Sequence, residues 1–175
     1  MLLMGAVLVL AQAAGAPAPE GLREDSRHGR RECVAIQVVS PQQPKPQPHP
    51  AFSATRILDV EFRAFLRRRL TGQHNLQLKV YTPKGHVYQV LTVPFTAPGH
   101  HPGKRRVDGY PQPLDEQEAR LVRLEGAHRH QVSATLPVAG TSIMTNSLYG
   151  QWRVEPYLDG EAEPCGPPRS FAIGQ

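Results

Sequence analysis

The sequence predicts an all-β fold, a sandwich of two antiparallel sheets built from about seven short strands. Three observations lead to this fold class. Apolar and polar residues alternate with a period of two in several segments of strand length, turn residues separate these segments at short intervals, and no long segment shows the apolar period of a helix. A length of 175 residues is typical of one domain, which we place at residues 33–174.

The N-terminal region predicts export. Its first nineteen residues carry no charged side chain, and an apolar run over residues 1–10 is followed by small residues. This pattern is typical of a secretory signal peptide, which we place at residues 1–13; a frayed apolar N-terminus is the alternative. The run is shorter than the roughly 20 residues of a membrane-spanning helix, so we expect no transmembrane segment in the mature chain. Residues 14–32 are polar and without apolar periodicity, which predicts a flexible leader.

The first strand and the loop after it follow from composition. Residues 33–40 (CVAIQVVS) form a β-branched apolar run of strand length. The next ten residues contain five prolines, which predicts an extended proline-rich loop over residues 41–52.

Three segments with period-two alternation come next, and we expect them to form a meander of antiparallel strands. They are residues 57–67, 76–81 and 86–95. Turn residues separate them at 71–73 (Thr-Gly-Gln) and 83–85 (Pro-Lys-Gly).

The region after the meander is less regular. Its proline, glycine and charge content predicts an irregular loop over residues 96–118. Two interpretations of residues 114–126 remain. Asp115 followed by Glu118 resembles a capping box that opens a short helix, whereas the segment RLVRL fits a short strand, which we favour slightly. Residues 132–138 alternate again and predict another strand.

The most patterned stretch is SLYGQWRVEPYLDG at residues 147–160. Alternation turns Trp152, Val154 and Leu158 to one side, so we expect Trp152 in the core rather than exposed as a platform for sugar rings. Pro156 cannot donate a ladder hydrogen bond, which indicates an edge position or a bulge.

Three tyrosines form a candidate contact surface. The alternation places Tyr81, Tyr88 and Tyr157 on the outer faces of the predicted strands. Tyrosine is enriched at protein interfaces, although single exposed tyrosines are common.

The same stretch carries a family resemblance. The segment from Tyr149 to Val154, followed by the Asp-Gly turn at 159–160 and a last strand at 171–173, resembles the penultimate hairpin of immunoglobulin-like and fibronectin type III-like modules, including bacterial secreted ones. The resemblance covers residues 148–173 as a motif and 33–174 as a strand pattern. It implies an immunoglobulin-like sandwich with Tyr149 as its tyrosine corner, and it transfers no catalytic residue.

Cys33 and Cys165 are the two cysteines of the chain. In an exported protein they can form one intramolecular bridge, which adds on the order of 4–5 kcal/mol in the chain-entropy model. The alternative is two unpaired, small apolar side chains. Neither cysteine lies in mid-strand, so the sequence departs here from antibody-type domains and their disulfide between the two sheets. We expect any bridge to join the first strand to the loop before the last strand instead.

The charge pattern indicates which classes of partner the protein could bind. The net charge is +5, and the arginines cluster at residues 30–31, 67–69 and 105–106. No aromatic residues interleave with these clusters as stacking platforms for bases would. We therefore expect a solvated positive surface that suits anionic cell-envelope polymers, and no nucleic-acid partner.

Few residues fit a catalytic or metal site. His100, His101, His128 and His130 flank residues 102–127 and would converge on a metal ion if the ends of this segment meet; the alternative is four solvated loop histidines. We expect no metal and no cofactor. The carboxylates of Asp59 and Glu61 share an outward strand face beside Arg63, which favours a cross-face ion pair over acid–base catalysis.

Together these patterns predict a non-catalytic, exported structural or protein-interaction module of the cell envelope, located in the periplasm, outside the cell or at its surface. Its expected partner is an unknown protein or a cell-envelope glycan. The alternative is a carbohydrate- or cell-wall-binding module. A buried Trp152 and the absence of an aromatic cleft would favour the first function.

Overall fold

The computed structural model describes residues 31–175. Within this range the chain forms strands and one helical turn, with these bounds: β1 Cys33–Val39, β2 Ala51–Ser53, β3 Asp59–Arg67, β4 Gln73–Tyr81, β5 Val87–Thr96, β6 Lys104–Arg105, β7 Leu114–Asp115, β8 Gln117–Glu118, β9 Arg120–Leu124, β10 Ala127–Pro137, α1 Ser142–Thr145, β11 Gly150–Leu158 and β12 Arg169–Gly174. The predicted all-β class is confirmed. In residues 31–175 no helix has the length and apolar character to span a membrane.

Two sheets contain most of these strands. The smaller sheet has the order β1-β3-β10-β9, and all its neighbours are antiparallel. The larger sheet has the order β2-β12-β11-β4-β5-β8, in which the four central strands are antiparallel and the short end strands pair in parallel. Strands β6 and β7 form a separate pair.

The short strands were not predicted. Ala51–Ser53 forms β2 inside the segment predicted as proline-rich loop, and β6, β7 and β8 lie inside the predicted irregular loop. A strand of two or three residues is too short to show alternation in the sequence. Such a strand is recognised only from the strand with which it pairs in the structure. At residues 120–124 the chain forms β9, so the strand interpretation of this region is confirmed and the helix interpretation is wrong.

The predicted meander is wrong in one respect. Strands β4 and β5 form a hairpin, but β3 belongs to the smaller sheet and β4 to the larger one, so the chain crosses between sheets after Arg67. Alternation shows that a strand buries one face, and strands on opposite sides of a shared core have the same pattern. The turn composition at residues 71–73 therefore indicated a reversal but not the sheet that the chain enters.

The buried faces of the two sheets share one core. Phe62 of β3 lies with its ring centroid 5.4 Å from that of Phe171 of β12, and Trp152 of β11 lies 6.3 Å from Phe171. Burial of each such side chain contributes about 1.5–3 kcal/mol. Trp152 is 1% exposed and its indole N–H donates to the Leu148 carbonyl at 3.0 Å, so its predicted place in the core is confirmed.

The entry to β11 explains part of the Tyr-Gly-x-Trp motif. Tyr149 immediately precedes the strand and packs half-buried against the core. Gly150 has a φ of +134°, and a β-carbon there would lie 3.1 Å from the ring of Pro83. Glycine is favoured at this position, because the positive φ would strain any other residue and a β-carbon would crowd the ring of Pro83.

A disulfide joins Cys33 of β1 to Cys165 in the loop before β12, as predicted. Backbone hydrogen bonds of 2.9 Å reinforce it: Cys33 N–H donates to the Cys165 carbonyl, and Cys165 N–H donates to the Pro156 carbonyl. The ladder between β11 and β12 ends at Val154, so Pro156 lies beyond it on that side. Pro156 therefore lies in a central strand rather than in the predicted edge strand, at a point where the neighbouring strand β12 has ended.

The predicted signal peptide at residues 1–13 and nearly all of the predicted leader at 14–32 lie outside the described residues. Glu32, the last residue of that leader, accepts a backbone hydrogen bond from Arg67 and forms an ion pair with Arg69. The ordered domain therefore includes this residue.

Candidate interaction face

The outward face of the larger sheet gathers aromatic and charged side chains on two adjacent strands. Lys79 and Tyr81 of β4 lie beside Arg153, Glu155 and Tyr157 of β11; we call these five residues the contact face. Register places Arg153 opposite Tyr81 and Glu155 opposite Lys79. Their neighbours in sequence point into the core, since side chains of a strand alternate between its two faces.

The side chains of the contact face hold one another in place. The Lys79 ammonium lies 3.8 Å from the ring centroid of Tyr157, and the Arg153 guanidinium carbon lies 4.6 Å from that of Tyr81, so both cations lie over aromatic faces. Glu155 accepts a hydrogen bond of 3.0 Å from the Tyr157 hydroxyl and pairs with Arg153 at 3.4 Å. A surface ordered in this way loses less side-chain entropy when a partner binds.

The environment of Tyr157 keeps its hydroxyl protonated. Burial has the largest effect, and hydrogen bonding with Glu155 and Tyr81 adds to it; together they raise the pKa of Tyr157 well above its usual value of 10. Tyr157 is therefore a neutral donor at all physiological pH values.

Two of the three predicted contact tyrosines need correction. Tyr157 points outward as predicted but is only 6% exposed, because Lys79 and Glu155 cover it. Tyr88 points inward, where its ring lies 5.2 Å from that of Trp152 and its hydroxyl bonds to Ser142. The physical reason is a bulge in β5, which leaves Tyr88 out of register and shifts the alternation by one residue.

An uncharged rim borders the contact face. Val87 and Val90 of β5 are 52% and 37% exposed, and they lie opposite Tyr81 and Lys79 of β4. Tyrosine, arginine and exposed apolar side chains on one face match the composition of protein interfaces.

The opposite, outward face of the smaller sheet carries a polar groove of about 980 Å³. At its floor Glu61 accepts hydrogen bonds of 3.0 and 2.8 Å from Arg63 and of 3.0 Å from the Ser133 hydroxyl. The bonds from Arg63, opposed by partial burial, lower the pKa of Glu61. A carboxylate that is ionised and already bonded in this way is a poor general base, and the predicted Glu61–Arg63 ion pair is confirmed.

Gln117 closes one end of this groove. Its side-chain amide donates to the Ser133 carbonyl at 2.9 Å and accepts from the Ser133 N–H at 3.4 Å. The ladder between β9 and β10 stops at Gln131, so the amide satisfies two backbone groups that no strand reaches. The sequence contains no signal for this contact, because it joins a residue of the two-residue strand β8 to β10, a strand of the other sheet.

The long loop is anchored by Arg105 and Glu116, which sequence patterns also did not reveal. Arg105 donates to the His74 carbonyl at 3.0 Å and forms an ion pair with Glu116, whose side chain is 3% exposed. Glu116 in turn accepts from the Gly103 N–H at 3.1 Å. These contacts fix the loop to the end of β4.

The four histidines considered as metal ligands do not form a cluster. His130 is buried and its Nε2 bonds to the Arg68 carbonyl at 2.9 Å, whereas His100, His101 and His128 are exposed. Among residues 31–175, no group of three or more histidine, cysteine, aspartate or glutamate side chains is arranged to hold a metal ion.

Comparison with known proteins adds no relative to this description. No protein-family model matches the chain, and no curated protein sequence matches it.

Proposed function

We propose that the chain is an immunoglobulin-like domain of an exported protein and that it acts as a non-catalytic protein-interaction module through the contact face. The observation that carries this proposal is the ordered cluster of Lys79, Tyr81, Arg153, Glu155 and Tyr157 beside an uncharged rim. Interfaces derive much of their affinity from tyrosine and arginine side chains that are already held in place.

Strand order supports the immunoglobulin-like assignment. The order β1-β3-β10-β9 corresponds to strands A-B-E-D of such folds, and β12-β11-β4-β5 corresponds to G-F-C-C′. The resemblance of residues 148–173 to the penultimate hairpin agrees with this correspondence, since β11 and β12 take the places of strands F and G.

The disulfide between Cys33 and Cys165 is compatible with export, because disulfides persist in oxidising compartments. It supports the proposed location in the periplasm or at the cell surface.

The carbohydrate-binding alternative has less support. Trp152 is in the core, and the side chains that line the polar groove are charged, amide, hydroxyl and aliphatic. A sugar site of the stacking type needs an exposed aromatic ring, and neither Trp152 nor the groove provides one. The ring of Tyr81 on the contact face is covered on one side by the guanidinium of Arg153.

The charge of the contact face indicates the chemistry of its partner. Arg153 is half exposed, whereas Glu155 is mostly covered and held by Tyr157 and Arg153, so the accessible charges are the two cations. Because Glu155 offsets one of them, the net charge of the contact face is +1 (Lys79 and Arg153 against Glu155). We propose a partner protein whose surface presents carboxylates to these cations and apolar side chains to Val87 and Val90.

Site-specific photocrosslinking tests this function. A photoreactive benzoylphenylalanine replaces Gln151, an exposed residue on the outward side of β11, or Thr135, an exposed residue on the outward side of β10 in the other sheet. In cells that make the protein, we expect a discrete protein adduct from position 151 and none from position 135. Equal adducts from both positions, or adducts with polysaccharide alone, would contradict the proposal.

A further inference from the structure

We propose that the outer edge of β5 pairs antiparallel with the same edge of a second copy of this chain, so that the larger sheets of two subunits become continuous. This inference goes beyond the proposed function and does not depend on it. Its basis is the backbone of one strand.

The outer edge of β5 is open over most of its length. Strand β8 pairs only with Phe95 and Thr96, and within residues 31–175 no strand pairs with residues 87–94 on that side. Ala119 N–H donates to the Thr96 carbonyl at 2.9 Å, which shows that Thr96 directs its backbone groups outward. Residues two, four and six positions before Thr96 direct theirs outward too, since the orientation alternates along a strand.

Pro94, Thr92 and Val90 therefore direct their backbone groups to the outer edge, where Pro94 is buried and Thr92 and Val90 are not. Pro94 has no N–H, which is why this side of the strand accepts it. Thr92 and Val90 each direct one donor and one acceptor to this edge, so it offers four backbone groups over a span of three residues.

No charged side chain protects this strand from pairing. Residues 86–98 contain no lysine, arginine, aspartate or glutamate, and the open part is rich in β-branched residues. Edge strands that are kept monomeric usually carry a charge, most often lysine, a proline or a β-bulge. Here the proline lies at one end of the open part and the bulge at Tyr88 lies at the other.

One register satisfies all four groups. If Leu91 lies on the two-fold axis, Val90 pairs with Thr92 of the partner subunit, and Thr92 pairs with Val90 of the partner subunit. Each pair exchanges two backbone hydrogen bonds. Other two-fold registers place Pro94 or the bulge at Tyr88 opposite the paired residues and lose donors.

The side chains near the two-fold axis are compatible with the same side chains of a second subunit. Leu91 is only partly covered by the core of its own subunit, and at the axis it meets Leu91 of the partner subunit. An uncharged edge matches an uncharged edge, and a two-fold interface requires a self-complementary surface. A second copy is for this reason a better occupant than a charged strand from another protein.

The dimer has a functional consequence. Antiparallel pairing about an axis perpendicular to the sheet places the contact faces of both subunits on the same side of the continuous sheet. A partner with two matching sites would bind both, with an effective local concentration that raises its avidity.

Cysteine crosslinking of the full chain tests the register. Across a non-hydrogen-bonded antiparallel pair the Cα atoms lie about 4.5 Å apart, close to the range that a disulfide spans. We expect Leu91→Cys to form a disulfide-linked dimer under mild oxidation. Gln89→Cys is the control, because its two copies would lie roughly 14 Å apart. Equal crosslinking of both variants would overturn the register.

Sedimentation of variants at position 92 tests the pairing itself. Thr92→Pro removes an N–H that faces the open edge and leaves the bonds to β4 intact, whereas Thr92→Val keeps that N–H. A short edge interface is weak, so we measure between about 10 µM and 1 mM protein. We expect the parent chain and Thr92→Val to dimerise with rising concentration and Thr92→Pro to stay monomeric with an unchanged near-ultraviolet spectrum of Trp152. A monomeric parent chain at 1 mM would refute the proposal.

Discussion

The hydroxyl of Tyr157 donates a 3.0 Å hydrogen bond to a carboxylate oxygen of Glu155, two residues earlier on the outward face of β11. Arg153 pairs with the other oxygen of the same carboxylate at 3.4 Å. Because Glu155 is held from both sides, the contact face presents fixed cations and a fixed aromatic ring rather than independent side chains.

This relationship predicts the alkaline behaviour of Tyr157. Burial and the bond to Glu155 raise its pKa, so above about pH 10 the unfolded chain loses the Tyr157 proton while the folded chain keeps it. The free energy of unfolding therefore falls as pH rises through this range, since the unfolded state binds fewer protons. Absorbance titration should show a tyrosine that ionises late, and this component should vanish in Tyr157→Phe. A late component that persists in Tyr157→Phe would contradict the assignment.

The depressed pKa of Glu61 predicts that the free energy of unfolding falls as the pH is lowered. Its pKa is depressed from 4.5, mainly by the bonds from Arg63, so its contribution to stability is complete above pH 4.5 and is lost as pH falls through the lower folded value. Glu61→Gln should lower the free energy of unfolding by about 1 kcal/mol at pH 7 and by less at pH 3. Urea unfolding measures both. The control is Glu118→Gln, an exposed residue at the groove, and an equal loss in this control would argue against the role of the Arg63 bonds.

Gly166 predicts a strong steric effect beside the disulfide. A β-carbon there would lie 2.7 Å from the β-carbon of Cys33 and still closer to its carbonyl oxygen. Gly166→Ala should destabilise the oxidised protein by about 1–3 kcal/mol, because the backbone around Cys33 must move. Gly174→Ala is the matched control, since the nearest atom to its β-carbon would lie 3.9 Å away. Thermal unfolding should separate the two variants; equal melting temperatures would contradict the close contact.

Gln117 predicts a local change in backbone protection. Gln117→Ala removes the acceptor of the Ser133 N–H and leaves two backbone groups without a protein partner. We expect faster hydrogen exchange at Ser133 and a loss of about 1 kcal/mol in stability. Gln112→Ala, in an exposed part of the long loop, is the control. Unchanged exchange at Ser133 would show that the amide does not protect the strand.

The sequence predicted those features that rest on a regular pattern. The alternation in residues 147–160 placed Trp152 and Val154 in the core, and both are buried. The presence of two cysteines, Cys33 and Cys165, in a chain predicted to be exported led to the prediction of a single disulfide, which the structure contains. Burial of one face of a strand follows from the alternation within that strand, so the sequence of a single segment is sufficient to predict it.

The errors concern properties that depend on two segments at once. The outward place predicted for Tyr88 was wrong because its strand has a bulge against β4 that period-two alternation does not show. The prediction that β3 and β4 lie in the same sheet was wrong. Each of them buries one apolar face, and this pattern is the same whichever sheet the strand belongs to. The contact of Gln117 with Ser133 joins residues whose positions relative to each other only the fold determines.

The central claim is that a protein partner binds the contact face and that this binding needs the cations of Lys79 and Arg153. The most direct test repeats the photocrosslinking from position 151 in two double variants. One removes the cations of the contact face (Lys79→Ala with Arg153→Ala), and the other removes two exposed cations of β9 (Arg120→Ala with Arg123→Ala). We predict that the protein adduct is lost in the first variant and kept in the second, with both variants folded by near-ultraviolet circular dichroism. An adduct that survives the first variant, or that both variants lose equally, would contradict the claim.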